Sequence, residues 1–233
     1  MKKIKKLETS KIIYFILVGI VVLEIIGAIF TVIFAATPTQ RDAGISNIFL
    51  GFLAVTLFSI PWLIESRFKL DIPNYLEVIV LIFLFCSIVL GSMHNLLATV
   101  KGYDKVLHIA SGIFISVTGF EIIHFFNISK TKELRLKPGI LSIFAFCFSV
   151  TLLVLWEFYE FAVDTIAYNV SSISERNMQR YQWINESTIY PQSYGLMDTM
   201  LDLLIGSFGA LVVAIVGWRM LVYKQRKELS SND

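Results

Sequence analysis

The segment KIIYFILVGIVVLEIIGAIFTVIFAA, from Lys11 to Ala36, has Glu24 as its only charged residue after the first. An α-helix rises about 1.5 Å per residue, so roughly 20 apolar residues cross a hydrocarbon core about 30 Å thick. This segment is long enough to span a membrane, and five more apolar segments follow it along the chain. The six predicted spans are 11–36, 47–64, 75–99, 104–127, 140–166 and 196–223.

The composition agrees with a membrane protein. The chain is 56% hydrophobic and 16% charged, with a mean hydropathy of +0.71, which excludes an ordinary soluble globular domain. No window shows the repeated apolar and polar alternation of an outer-membrane barrel. We therefore predict an all-α, polytopic membrane helix bundle with six transmembrane helices, which forms a single integral membrane domain over residues 1–233.

The distribution of lysine and arginine predicts the orientation. Of the 20 basic residues, five lie on one side of the predicted spans and the other 15 lie on the opposite side, with both termini. By the positive-inside rule, both termini are cytoplasmic, which an even number of spans requires. The long connection 167–195 is then extracytoplasmic, as either a binding loop or a solvated surface connection. The net charge of +2 follows from this topology and gives no reason to expect nucleic acid as a partner.

The fourth predicted span opens with acidic and basic residues. Asp104 and His108 lie one helical turn apart and share a face. Asp104 at a helix start has a structural explanation, since carboxylates cap free N–H groups there. His108 lies a turn deeper, and its two interpretations are a hydrogen-bonded packing residue and a ligand or acid/base group.

The fifth span ends with three carboxylates on one stripe. Glu157, Glu160 and Asp164 are spaced at i, i+3 and i+7, which places them on one face. The C-terminal end of a helix carries partial negative charge and disfavours carboxylates. A metal ion, a cationic substrate, a protonated histidine or protonation of the acids would compensate them.

The sixth span repeats the pattern of the fourth. Asp198 and Asp202 lie one turn apart, and Asp198 has the same capping explanation as Asp104. Asp202 continues into a row of small residues at steps of four, Gly206, Ala210 and Ala214. Such rows mark faces on which membrane helices approach closely, so Asp202 is predicted to point into the bundle.

Four of these residues fall at one predicted depth. His108, Glu157 and Asp202 each lie on the order of 10 Å outward of their helix midpoints, and Glu160 lies slightly farther out. One such charge costs roughly 2.5–3.5 kcal/mol near a helix centre. Several charged side chains at one depth in the membrane require mutual neutralisation or an aqueous cavity. Asp104, Asp164 and Asp198 are predicted at the mouth of this site.

Three motifs together resemble a known family. D-K-x-x-H (Asp104 to His108), W-E-x-x-E-x-x-x-D (Trp156 to Asp164) and D-T-x-x-D-x-x-x-G (Asp198 to Gly206) resemble the YjdF-like family of bacterial membrane proteins over roughly residues 75–215. The chain is more distantly similar to VanZ-like membrane proteins, from which it departs around the Glu157 helix. The resemblance implies a multi-pass protein of the bacterial cytoplasmic membrane and does not imply an activity.

The chemistry of this set predicts a metal site. One histidine with several carboxylates suits magnesium, manganese, calcium or zinc. The predicted ligands are His108, Glu157, Glu160, Asp164 and Asp202, and the predicted catalytic residues are His108, Glu157, Glu160 and Asp202. A metal held there would activate water or polarise a cell-envelope or lipid-linked substrate among the membrane lipids. Lys105, Arg176 and Arg180 are the basic residues available for a substrate phosphate.

Two alternatives use the same acids. In the first, the protein transports cations or protons, and Glu24, Glu121 and His124 extend the polar track toward the cytoplasm. In the second, the protein is a scaffold whose buried acids fix helix packing. The sequence leaves enzyme, transporter and scaffold open.

Overall fold

The computed structural model describes residues 9–68, 72–128, 136–171, 178–179 and 193–230, and the regular structure within these ranges is entirely helical. Six stretches are long and apolar enough to cross a membrane, which confirms the all-α fold and the six spans. They are Thr9–Phe34, Pro38–Arg67, Asn74–Met93, Tyr103–Asn127, Pro138–Ile166 and Gly195–Lys227. The orientation of the termini remains a prediction, and most of the connection 167–195 lies outside the described residues.

The chain forms two compact units, Met1–Tyr103 and Asp104–Asp233. Helices of the first unit are α1 (Thr9–Phe34), α2 (Pro38–Phe58), α3 (Ile60–Phe68), α4 (Asn74–Leu84), a π-helical segment (Phe85–Met93) and α5 (Leu96–Thr99). Its core lies where α1, α2 and the α4/π-helix meet, around Val21, Ala54, Phe58 and Val89.

Helix α2 begins well before the predicted start at residue 47. Thr37 caps the helix by accepting a hydrogen bond from the Gln40 backbone N–H at 3.3 Å, and the Gln40 side chain accepts one from the Ala36 N–H at 3.0 Å. Pro38 occupies the first helical position, where its missing N–H costs nothing. The prediction from hydropathy left the polar residues before residue 47 outside the span, but they form the first turns of α2.

The third span changes from an α-helix to a π-helix along its length. After Leu84 the backbone becomes π-helical, and the segment ends where His94 N–H donates to the Val89 carbonyl at 3.0 Å. Asn95 is left-handed, with φ of 59°, which stops the helix. The predicted span to residue 99 is thus divided into a spanning part that ends at Met93 and the short helix α5.

The second unit consists of three long helices, α6 (Tyr103–Ile128), α7 (Pro138–Ser171) and α8 (Tyr194–Ser230). Its tightest packing joins Gly112 of α6 to Gly206 of α8. A Cβ on Gly112 would lie 2.0 Å from the Gly206 carbonyl oxygen, so only glycine permits this approach. Ala210 and Ala214 are buried, which confirms the predicted contact face of α8.

Two serine hydroxyls bind the three helices together on the same level. Ser149 of α7 donates to the Gly112 carbonyl at 3.0 Å, and Ser116 of α6 donates to the Ala210 carbonyl at 3.3 Å. Gly206 also meets Leu153 of α7 and the His108 carbonyl. This layer closes the bundle directly beneath the polar residues described next.

Candidate functional site

The site lies at one end of the second unit. It is formed by the first turns of α6 and α8 and by the later part of α7, because α7 runs antiparallel to its two neighbours in the chain. Its central residues, which we call the acidic cluster, are Asp104, Lys105, His108, Glu157, Asp198 and Asp202. The structure thus brings together residues from all three predicted motifs.

Lys105 is the hub of the acidic cluster. Its ammonium group donates to Asp198 Oδ1 at 2.6 Å, to Asp202 Oδ2 at 2.7 Å and to Asp104 Oδ2 at 3.1 Å. An ammonium group has three N–H donors, and each of the three meets a different carboxylate. Lys105 is therefore the internal counter-ion of these acids and is not free to hold a substrate phosphate, which corrects the role predicted for it.

His108 forms a second centre beside Lys105. Its Nε2 lies 3.4 Å from Asp104 Oδ1 and 3.7 Å from Asp202 Oδ1. Ligand atoms of Asp104, His108 and Asp202 all lie within 4.8 Å of one another, a spacing at which these described residues could hold a metal ion. His108 is 6% exposed and Asp202 is 1% exposed. We call these three residues the His108 triad.

Two carboxylates of the cluster have oxygen atoms without a hydrogen-bond partner in the part of the chain that the structure describes. Asp202 Oδ1 and both oxygens of Glu157 are buried without a hydrogen-bond partner among the described residues. Glu157 Oε1 lies 4.0 Å from His108 Nδ1, on the side of the imidazole away from the triad. Unsatisfied buried carboxylates are costly, so these atoms mark the place where a ligand or proton is required.

Glu160 lies one turn beyond Glu157 on α7. It is buried, and its Oε1 accepts a hydrogen bond from the Trp156 indole at 2.7 Å. Glu160 therefore lies near the acidic cluster and already accepts a hydrogen bond from Trp156. It is not one of the three residues of the His108 triad.

Asp164 is engaged outside the cluster. Its two carboxylate oxygens accept the backbone N–H groups of Met178 and Gln179, each at 3.0 Å. The Gln179 side chain in turn donates to Thr199 Oγ1 of α8 at 2.7 Å. Asp164 thus anchors a part of the 167–195 connection, and the structure does not bring it into the His108 triad.

The two residues predicted only at the mouth lie deeper than expected. Asp104 belongs to the His108 triad, with its side chain 24% exposed. Asp198 is 1% exposed and contacts Lys105. The sequence analysis did not predict that Lys105 pairs with both aspartates of α8. Asp198 and Asp202 are spaced at i, i+4 and share one face, which was a signal that they could bind one cation together.

The charges of the acidic cluster do not balance. Asp104, Glu157, Asp198 and Asp202 contribute four negative charges when ionised, and Lys105 contributes one positive charge. Three negative charges then remain unbalanced when His108 is neutral, and two when it is protonated. A buried cluster with this deficit requires further positive charge, from a cation or from protons.

Comparison with known proteins identifies the family. The family model described as "Predicted membrane protein (DUF2238)" matches residues 20–222, a range that contains all six residues of the acidic cluster. The chain belongs to this family. Together with the six apolar helices, this membership makes it a multi-pass membrane protein.

The comparison also finds a relative of this chain. An uncharacterised protein of Thermotoga maritima is 28% identical over 162 residues, which is 68% of this chain and 70% of the relative. No solved structure gives a significant match.

Proposed function

We propose that the acidic cluster binds a divalent cation and uses it to act on a cell-envelope or lipid-linked substrate. The observation that carries this proposal is the His108 triad, in which three potential ligand atoms converge and buried Asp202 Oδ1 has no hydrogen-bond partner among the described residues. The ion would supply the positive charge that the cluster lacks.

The spacing of the triad fits an ion. Ligand atoms about 2.0–2.2 Å from one metal, at tetrahedral or octahedral angles, are about 3–3.6 Å apart. Of the distances from His108 Nε2 to the two aspartate oxygens, 3.4 Å lies within this range and 3.7 Å lies slightly above it. One imidazole and two carboxylates suit magnesium, manganese, calcium or zinc. Three protein ligands leave positions for water and substrate, as catalytic metal sites do.

The remaining residues have separate tasks. Lys105 holds Asp104 and Asp202 by their Oδ2 atoms, so that each Oδ1 is directed toward His108. Glu157 Oε1 lies 4.0 Å from Nδ1, beyond hydrogen-bond distance, and its charge would favour the orientation of the imidazole that presents Nε2 to the ion. Lys105 and Glu157 are therefore both positioning residues. When bound, the ion would activate a water molecule and polarise a phosphate or carbonyl group.

The position of the site favours a lipid-linked substrate. The acidic cluster lies within helices that span the membrane, so a substrate carried on a lipid reaches it from the bilayer. The donors of Lys105 are occupied, and Arg176 and Arg180 lie outside the described residues. The ion itself is therefore the group that would receive a substrate phosphate. The positive-inside distribution supports an extracytoplasmic site, where cell-envelope substrates lie.

The packing beneath the cluster supports a site that is closed on its inner side, in preference to a transport path through the bundle. The Gly112 and Gly206 backbones meet directly, and Ser116 and Ser149 hydrogen-bond to neighbouring helices there. A scaffold would need no external cation, because protons could neutralise its acids. The converging His108 triad, with buried Asp202 Oδ1 lacking a hydrogen-bond partner among the described residues, supports a binding site over a scaffold.

Metal binding tests the proposal directly. Purified protein would be analysed for bound elements, stripped with chelator and titrated calorimetrically with Mn²⁺. We expect Asp202→Asn to weaken Mn²⁺ binding by more than about 100-fold, since even outer partners of ligands change affinity about 10–100-fold. Asp42→Asn, the same chemical change at an exposed position of α2, is the matched control and should bind like the wild type.

The activity is tested on lipids. Wild-type protein and Asp202→Asn would be incubated with liposomes of total bacterial lipid, with and without Mn²⁺, and lipid masses compared. A Mn²⁺-dependent product formed only by the wild type is expected. Mn²⁺-driven ion or proton flux without a product would replace this proposal with transport, and wild-type protein that binds no ion would leave the scaffold.

A further inference from the structure

Lys105 sits among carboxylates as a metal ion would. Its Nζ is surrounded by single oxygens of Asp198, Asp202 and Asp104, at 2.6, 2.7 and 3.1 Å. The lysine side chain is 13% exposed, and the Asp198 and Asp202 side chains are 1% and 0% exposed. Two carboxylates so buried are stable beside each other only when a cation or a proton neutralises them, and the ammonium group is the cation placed to do so here.

Asp104 and Asp202 each divide their oxygens between two positions. Their Oδ2 atoms accept hydrogen bonds from Lys105, and their Oδ1 atoms face His108 Nε2. Carboxylates that serve two neighbouring cations through separate oxygens are the arrangement of two-metal sites, whose ions lie about 3.5–4 Å apart. Here one position is surrounded by the His108 triad and the other is filled by the ammonium group.

We propose that Lys105 occupies the second cation position of a two-cation centre, so that the protein binds one divalent ion where its carboxylates would hold two. This inference rests on the proposed function for the first ion only. Asp202 Oδ1, buried and without a partner among the described residues, marks the first position independently of Lys105. The lysine makes the second charge permanent and independent of metal supply, and it prevents a second ion from competing for Asp104 and Asp202.

Removal of the ammonium group should open the second position to metal. Lys105→Ala would leave Asp104 Oδ2, Asp198 Oδ1 and Asp202 Oδ2 facing an empty space of ion size, three oxygen ligands that suit Mn²⁺. We expect the wild type to bind about one Mn²⁺ per chain and Lys105→Ala about two, as in two-metal sites. Lys101→Ala, which removes an exposed lysine close in sequence, should keep the wild-type stoichiometry.

The measurement is the number of Mn²⁺ ions bound per chain, by elemental analysis after equilibrium dialysis, with electron paramagnetic resonance of the same samples. Two ions about 4 Å apart couple magnetically, so the signal per ion should fall in Lys105→Ala and not in Lys101→Ala. Lys105→Ala would be purified with Mn²⁺ throughout, since the ion is expected to replace the missing charge. Lys105→Met, which retains most of the side-chain volume, repeats the test.

The outcomes separate the two proposals. One ion in the wild type and one in both lysine variants would overturn the inference and leave the metal site standing. No ion in the wild type and one in the variants would support the role of Lys105 while refuting the proposed metal function. Failure to recover either variant as folded protein in the presence of Mn²⁺ would also overturn the inference, because the ion then does not replace the ammonium group.

Discussion

Each unit of the molecule contains a histidine beside a carboxylate, and the two arrangements differ in burial and in the balance of acids and bases. In the first unit, His94 Nε2 lies 3.1 Å from Glu24 Oε1, with the side chains 46% and 35% exposed. This pair has one base and one acid. In the second unit, Lys105 and His108 face four acids, and Asp202 and Glu157 are almost completely buried.

The difference shows what distinguishes a site from an isolated polar pair. An ionisable residue in a membrane helix is costly wherever it lies, and Glu24 has His94 as an opposite partner. The acidic cluster contains more acids than its own bases can pair with, in a largely buried position. Excess acid in a buried position, and not the presence of charge alone, calls for a bound cation or for protonation of the acids.

The largest contrast between the units should appear when a base is removed from each. Under chelating conditions, Lys105→Met should lower the free energy of unfolding by about 3–5 kcal/mol, because breaking a buried ion pair leaves uncompensated charge. His94→Gln should cost about 1 kcal/mol or less, because the glutamine amide can still donate a hydrogen bond to Glu24. Thermal unfolding of both variants in detergent would measure this, and equal losses would show that burial does not distinguish the two arrangements.

A smaller effect is expected at Glu157. Glu157→Gln should weaken Mn²⁺ binding about 10–100-fold, the usual cost of losing a carboxylate that orients a metal-binding histidine. Glu24→Gln is the counterpart in the first unit and should leave Mn²⁺ affinity unchanged. Calorimetric titration of both proteins would decide the matter. Wild-type affinity in Glu157→Gln would mean that Glu157 does not support His108.

The smallest effect is expected at Asp164, which serves the connection and not the triad. Asp164→Asn should reduce stability by about 1 kcal/mol through weaker hydrogen bonds to Met178 and Gln179, and Mn²⁺ affinity should not change. Melting temperature and metal titration of the same sample give both values. A loss of Mn²⁺ binding as large as that of Asp202→Asn would return Asp164 to the ligand set predicted from the sequence.

The sequence was sufficient for the number and type of helices, because six apolar segments of spanning length admit few other interpretations. Boundaries were harder to predict, since the start of α2 depends on the local cap formed by Thr37 and Gln40. The break in the third span depends on the π-helical turn and on left-handed Asn95, neither of which alters the hydropathy.

The candidate site was predictable to the level of a helix face. The i, i+4 pairs of α6 and α8 and the row of small residues after Asp202 placed the right faces together. Spacing along one helix does not reveal partners on another, so the contacts of Lys105 with Asp198 and Asp202 were missed. Asp164 shares a stripe with Glu157 but lies about 10 Å farther along the helix axis, which is too far for a common ion.

The central claim is that an ion binds at His108 of the unbalanced cluster, and pulsed electron paramagnetic resonance of bound Mn²⁺ tests it most directly. An imidazole ligand produces a coupling between Mn²⁺ and its nitrogen. We predict this coupling in the wild type and in His94→Gln, and its loss in His108→Gln. Bound Mn²⁺ without nitrogen coupling in the wild type, or coupling that survives in His108→Gln, would contradict the assignment.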